Sequence, residues 1–409
     1  MQIQTGKGMI SLITLMGIWS ITALNALPGL AISPILGKLS TIFPHATELD
    51  LQMLSSLPSF LTIPCIILSG KLTEKVNNIA LLQIGLWIFL FSGLLYLFST
   101  EIWQLIAVST LLGIGSGLVI PLSTGLISRY FDGKYRTKQF GLSSSITNVT
   151  LVLATMLTGY LVEINWRLPF TVYLFAFIPI LFSYSLDKNL PPHPQETLVS
   201  KSSKQGYEEK SNNQGIQLNH LIQIMCFYGL ATYLVVIINF NLSFLMEEYH
   251  FTSSRSGLMI SLFFLAIMAP GFILNPIVSL LGRKTKFYSM LSITLGLALI
   301  TFSPNEWIIG LGCVLAGLGY GIIQPIAYDK ATRIATSEKA TLSLAFVMVM
   351  NYLAILLCPF ILHLFEEFFH IRTQQFAFTV NLLIALITAV WVYTKQDSFL
   401  CDDNSISHR

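Results

Sequence analysis

The sequence is poor in charge. Only 11% of its 409 residues are Asp, Glu, Lys or Arg, against 54% apolar residues, and the net charge is +3. So little charge in so apolar a chain excludes an ordinary soluble globular protein, and bases that never cluster along one helix exclude nucleic acid as a partner. Cysteine is scarce as well. Cys65, Cys226, Cys313 and Cys358 lie in apolar runs and Cys401 in a polar tail. An odd total without C-x-x-C argues against a disulfide framework and against zinc, and neither a metal nor a cofactor is expected. Enzymatic signatures are missing too: no span holds an Asp pair or a Ser-His set, and H-E-x-x-H does not occur. An intramembrane enzyme or lipid-handling protein is therefore a remote alternative, and the expectation is that the chain is not an enzyme. No cleaved signal is expected either, because the apolar run after Lys7 reaches about Ile35, well beyond the roughly 7 to 15 residues of a signal core.

What the sequence has in abundance is long apolar runs. A spanning helix takes about 20 residues, and twelve runs qualify. They fall near residues 9–35, 51–69, 79–98, 103–127, 140–162, 168–186, 218–245, 256–280, 287–303, 306–328, 340–363 and 374–394. Between the sixth and seventh, residues 187–217 are rich in Ser, Lys, Gln, Glu and Asn and cannot bury a core. The expected organisation is an all-α integral membrane protein with a six-helix bundle over 1–186, a cytoplasmic linker over 187–217, a second bundle over 218–395 and a cytoplasmic tail over 396–409.

Assigning alternate loops to alternate sides tests this count, because Lys and Arg accumulate in the cytoplasm. With both termini inside, only Lys38, Arg167, Arg255 and Arg372 of the 23 basic residues fall outside. A multi-pass protein of the cell (inner) membrane with cytoplasmic termini follows. The same alternation leaves every charged residue in a loop or at a helix end. An ionisable group at mid-membrane would have marked an ion pathway, and none is there.

Internal repetition comes next. Gly113-Ile-Gly115-Ser-Gly117-Leu-Val-Ile-Pro121 in the fourth run returns as Gly317-Leu-Gly319-Tyr-Gly321-Ile-Ile-Gln-Pro325 in the tenth, at one constant offset. Glycines at every second position turn by about 200° and so thin opposite faces of a helix. Close packing of neighbours is one reading; a bending gate helix in each half, loosened by its proline, is the other and the one expected.

Two six-helix halves, a polar linker and a repeat of this length resemble the major facilitator superfamily of secondary transporters. Locally, Gly70-Lys-Leu72-Thr-Glu74-Lys75-Val-Asn77-Asn78 is similar to the family's G-x-L-x-D-R-x-G-R-K-R/K loop, with Glu74 for Asp, Lys75 for Arg and Asn at the two later positions. Leu281-Gly282-Arg283-Lys284 is similar to the end of the same motif. The resemblance implies twelve helices in two pseudo-symmetric bundles, a small-molecule substrate, a proton or sodium ion as candidate coupling ion, and latches at the cytoplasmic ends. Glu74 is expected to latch near 339–343, Asp329 to pair with Arg283 or Lys284, and Arg129 to anchor the first-half end. Two family elements are damaged. Where drug and proton antiporters resemble R-x-x-Q-G-x-G, the arginine position holds Ser109, and a pattern similar to G-x-x-x-G-P-x-x-G-G is reduced to Ala154-Thr-Met-Leu-Thr-Gly159. Trp166-Arg167 with Phe170 looks ordinary for the superfamily.

Polar residues inside the runs are mostly amides, and a buried amide needs partners, from another helix or from a solute. Asn25, Asn148, Asn239, Asn241, Gln324 and Asn351 are the candidate substrate contacts, with Tyr233 and Tyr320, alongside Phe240 and Phe346, as aromatic walls. His363, Glu367 and His370 share a helix face, for which a wet helix end is the favoured reading over a metal site. The expected function is a secondary transporter working by alternating access through a neutral cavity, leaning to efflux of amphipathic compounds. Uptake of a small neutral or zwitterionic metabolite is the alternative. No partner chain is implied, and a monomer is expected.

Overall fold

A computed structural model describes residues 2–6, 8–72, 77–186, 218–334, 340–371 and 373–394. Glu74, Lys75, the linker, Arg372 and the tail after residue 394 therefore lie outside the described residues, as do the surroundings of Gly70 and of the Arg283 side chain. Every apolar run forms a helix. Among the described residues eleven are long and apolar enough to cross a membrane, and the sixth, Leu168–Ser183, is shorter. The second to fifth spans are Glu48–Leu72, Asn78–Phe98, Ile102–Tyr130 and Gly133–Ile164. The seventh to twelfth are Leu218–Glu248, Ser253–Leu281, Thr285–Phe302, Glu306–Arg333, Ala340–Phe369 and Gln374–Thr394.

The first and sixth spans depart from plain helices for identifiable reasons. The first reaches from Leu12 to Ile42, several residues beyond the expected end, and breaks where Pro28 takes ψ 122° and Gly29 takes φ 79°, ψ −45°. The missing N–H of proline and the left-handed glycine interrupt the hydrogen-bond ladder together. No larger residue fits at Gly29, because an added Cβ would run into the Ser55 carbonyl of the second span. In the sixth span Leu168–Ala176 is a nine-residue 3₁₀ helix, followed by Phe177–Ser183. At about 2 Å per residue the 3₁₀ part rises about 18 Å, and the α part adds about 10 Å, so sixteen residues nearly cross a hydrocarbon core of about 30 Å.

One element was unforeseen. Gln2–Gln4 pairs antiparallel with Met9–Ser11 in a small hairpin before the first span. It docks on the turn between the fourth and fifth spans, where Asp132 N donates to Thr5 O (2.9 Å) and Tyr135 Oη donates to Gln4 Oε1 (3.0 Å). Ser11 then caps the first span, its Oγ accepting from Thr14 N.

The repeated glycines sit in close helix crossings. The fourth span packs on the second and third, and the tenth on the eighth and ninth. A Cβ on Gly113 would strike the Pro58 carbonyl and one on Gly117 would lie 2.5 Å from Cys65 Cβ, whereas one on Gly115 would reach the Phe89 backbone on the opposite side. Gly317 and Gly321 meet the Phe263 and Ile267 carbonyls of the eighth span, and Gly319 meets Ser289 of the ninth. Both helices run continuously through Pro121 and Pro325.

Candidate functional site

A cavity of about 340 Å³ lies between the halves. Its walls come from the first, second, fourth, fifth, seventh, eighth, tenth and eleventh spans, and no Asp, Glu, Lys, Arg or His is among the described residues that line it. Six of the expected contacts meet there: Asn25, Asn148, Asn239, Tyr320, Gln324 and Asn351. Asn241 and Tyr233 do not line it. Asn241 is two residues from Asn239, about 200° around the helix, and is fully buried elsewhere. Tyr233 is buried with an unpartnered hydroxyl. Phe240 is buried away from the cavity, and Phe346 is 43% exposed without lining it.

The two walls differ. On the first-half side Asn25 Nδ2 donates to Ser123 Oγ (2.9 Å), Thr62 and Ser116 share a hydroxyl bond of 3.0 Å, and Thr147 Oγ1 donates to the Thr22 carbonyl (3.2 Å). The second-half wall is a tyrosine and amide network. Tyr320 Oη donates to Asn351 Oδ1 (3.2 Å) and lies 3.1 Å from both Tyr228 Oη and Thr232 Oγ1. Gln324 Nε2 donates to Tyr228 Oη (3.3 Å) and Tyr328 Oη (3.4 Å), and the Tyr228 and Tyr320 rings stack with centroids 6.1 Å apart. Tyr228, Thr232, Tyr328 and Tyr352 were not anticipated. The repeat carried a signal that would have found part of this wall: Ser116, Ile120 and Thr124 line the cavity at the same offset as Tyr320, Gln324 and Tyr328.

The cavity is closed at one end. The end carrying the loops after the first, third and fifth spans is sealed by bonds between the halves. Gly37 N donates to Ser243 Oγ (3.1 Å), Gln374 Nε2 to Glu48 Oε2 (2.7 Å) and Ser254 N to Glu163 Oε1 (2.8 Å). Thr155 and Ser261 hydroxyls meet at 2.8 Å, where Gly159 crosses Gly257. Toward the opposite end the lining residues Thr124 and Met348 are exposed. The cavity is a cleft open on one side.

A superfamily model described as Major Facilitator Superfamily matches residues 10–236 and 221–399. The chain belongs to the Major Facilitator Superfamily. As a member it is a multi-pass membrane transporter. Over 319 residues it is 26% identical to the class H tetracycline resistance protein of Pasteurella multocida, covering 75% of this chain and 77% of the relative. It is 22% identical over 276 residues to quinolone resistance protein NorA of Staphylococcus aureus strain COL, covering 65% and 68%. Among solved structures it is similar to the nucleoside transporter NupG, with a TM-score of 0.72 at 13% identity over 94% of this chain and all of that one. It also resembles a bacterial homolog of the lysosomal transporter Spinster in an inward-facing, unoccupied conformation, with a TM-score of 0.70 at 11% identity over 95% and 97%.

The superfamily's local motifs fare unevenly. Asn77, in place of the expected glycine, caps the third span by accepting from Ile79 N (2.9 Å). The neighbouring Asn78 side-chain oxygen accepts from Arg129 Nη1 (3.0 Å) once its amide is oriented to satisfy both groups, tying Arg129 to the third span. Asp329 is exposed on the last turns of the tenth span, and Lys284 is exposed at the start of the ninth. Ser109, at the arginine position, is fully buried and donates to its own helix at Ile106 O (2.7 Å). His363 reaches Glu367 at 3.6 Å, but His370 ends its helix with φ 55°, and no metal-binding group occurs among the described residues.

Proposed function

We propose that this transporter exports uncharged, amphipathic organic solutes across the inner membrane by alternating access, and that the conformation described faces the cytoplasm. The observation that carries the reading is the charge-free cavity whose amides, hydroxyls and aromatic rings come from both halves. A volume of about 340 Å³ lies within the range of small-molecule sites. In a neutral cavity a solute's hydrogen bonds exchange with water's at little cost, whereas a net charge would be left without a counter-charge. Asn25, Asn148, Asn239, Tyr320, Gln324 and Asn351 are the proposed solute contacts. Loop charges assign the sealed end to the outside, so both termini, the linker and the tail are cytoplasmic, and residues 1–186 and 218–395 are the two units that rock. Gly70, Glu74, Lys75, Arg283, Lys284 and Asp329 are the proposed inner latch, which closes when the outer end opens. The protein works as a monomer.

Likeness to tetracycline and quinolone resistance proteins supports export. The density of hydrogen-bonding groups in the second-half wall favours the second reading, uptake of a neutral metabolite. Proteoliposomes loaded with a solute library separate the two: export predicts flux of aromatic, uncharged solutes out of the cytoplasmic compartment, and accumulation of small hydrophilic ones would favour uptake. Absence of flux for every solute would overturn the proposal.

A further inference from the structure

The sealed outer seam holds two kinds of buried polar group that act in opposite directions. One kind is satisfied in a relay that crosses twice between the halves. Gln374 Nε2 donates to Glu48 Oε2 (2.7 Å), Asn241 Nδ2 donates to Gln374 Oε1 (3.1 Å), and Gln52 Nε2 donates to Asn241 Oδ1 (3.4 Å). The relay starts and ends on the second span and passes through the seventh and twelfth, and Gln52, Asn241 and Gln374 are all buried. Its two bonds between the halves, Gln374 to Glu48 and Gln52 to Asn241, are made in the shut outer end, whereas the Asn241 to Gln374 bond lies within the second half.

The other kind is orphaned. Ser33 Oγ, Ser56 Oγ and Asn239 Oδ1 are buried without a hydrogen-bond partner. Ser33 opens a short 3₁₀ turn wedged between the fifth span of its own half and the seventh and eighth spans of the other. Ser56 lies one turn from Gln52 and one turn from Ser59, a cavity residue, so positions i, i+4 and i+7 put it on the seam-facing side between relay and cavity. Asn239 lines the cavity and stays with the solute contacts. Tyr96, Tyr173, Tyr233 and Asn381 pack within one half, so rocking leaves them as they are.

A buried polar group without a partner has lost its water hydrogen bond for nothing and regains it when the seam opens. A satisfied group loses its partner on opening. We infer that the outer seam is a poised latch, in which Glu48, Gln374, Asn241 and Gln52 hold it shut against Ser33 and Ser56. Together they set the ratio of inward-facing to outward-facing protein. This inference rests on the alternating-access reading, and it moves Asn241 from the substrate site to the gate.

Double electron–electron resonance in nanodiscs tests it. Spin labels at His45→Cys and Pro304→Cys, both exposed on the outer side, are placed on a background whose five cysteines are replaced. Asn241→Leu and Gln374→Leu raise the long-distance population roughly tenfold, and Ser33→Ala with Ser56→Ala lowers it by a similar factor. Asn381→Leu, a buried amide inside one half, leaves the distribution unchanged. Opposite shifts of the two sets establish the latch even in protein that transports nothing. Shifts of one sign, no shift, or an equal shift with Asn381→Leu overturn it, whatever the flux. If Asn241→Leu does not give folded protein, Gln52→Leu probes the same relay from the other half, with the same expected rise.

Discussion

Tyr228 holds the second-half wall of the cavity together, since its hydroxyl sits within hydrogen-bond distance of Gln324, Tyr320 and Tyr328. Removing that one oxygen leaves Gln324 with Tyr328 alone and frees the Tyr320 ring from a shared bond. One net hydrogen bond contributes about 1 kcal/mol. Tyr228→Phe therefore weakens solute binding by roughly fivefold to tenfold without lowering yield, as a binding titration beside fluorescence size-exclusion chromatography will show. Asn25→Ala should be milder, because Ser123 keeps its bond to the Ile120 carbonyl. At this scale the sequence was only half legible. Amides in apolar runs had to find partners, and that much was certain. Which side of the seventh span they faced was not, because Phe227 to Met246 is buried nearly all round and no polar face marks the cavity. Asn239 and Asn241 look alike in sequence and serve different places in the fold. Tyr228 and Thr232 stayed hidden because Tyr and Thr are unremarkable in a membrane helix until a neighbour's hydroxyl is placed against them.

Among the elements, the repeated glycine helices decide how a hinge is to be sought. Gly117 and Gly321 have neighbouring side-chain or backbone atoms where a Cβ would go, so overpacking should cost about 1–3 kcal/mol or more. Gly117→Leu and Gly321→Leu are expected to lower the melting temperature and yield, measured by differential scanning fluorimetry, whereas Gly125→Ala, with open space around it, should be tolerated. A well-folded but slow Gly321→Leu would instead favour bending at the repeat. The breaks in the ladder lie in other helices, at Pro28 and Gly29 in the first span and at Ile273, between Pro270 and Pro276, in the eighth. Gly29→Ala forces a Cβ against the Ser55 carbonyl at a left-handed φ and is expected to destabilise more than Gly125→Ala in the same assay. Span positions were legible because about 20 apolar residues have few alternatives in a bilayer. The 3₁₀ sixth span was not, since Pro169 and Pro179 announce an interruption without saying how the rise is recovered. Nor was the N-terminal hairpin, whose three-residue strands are too short to show a period.

On the scale of the whole molecule, missing charge and matched halves define the protein. Superfamily membership rests on the match over residues 10–236 and 221–399, and the pattern of spans and the duplicated helix carried the resemblance in the sequence. The substrate does not follow, because a neutral cavity discriminates by shape and hydrogen-bond geometry, and neither is written in a run of apolar letters. With no carboxylate, lysine, arginine or histidine lining the cavity among the described residues, binding of a solute that does not itself titrate should change less than about twofold between pH 5.5 and 8.5, as measured by equilibrium binding in detergent. A sigmoidal dependence would place a titrating group in the site.

The most direct measurement is solute flux in proteoliposomes with the protein reconstituted in known orientation, comparing the wild type with Gln324→Leu and Asn351→Leu. The account predicts saturable flux of uncharged aromatic solutes, with both variants folded, correctly inserted and raised in KM. Flux unaffected by either variant, or saturable only for charged solutes, would contradict it.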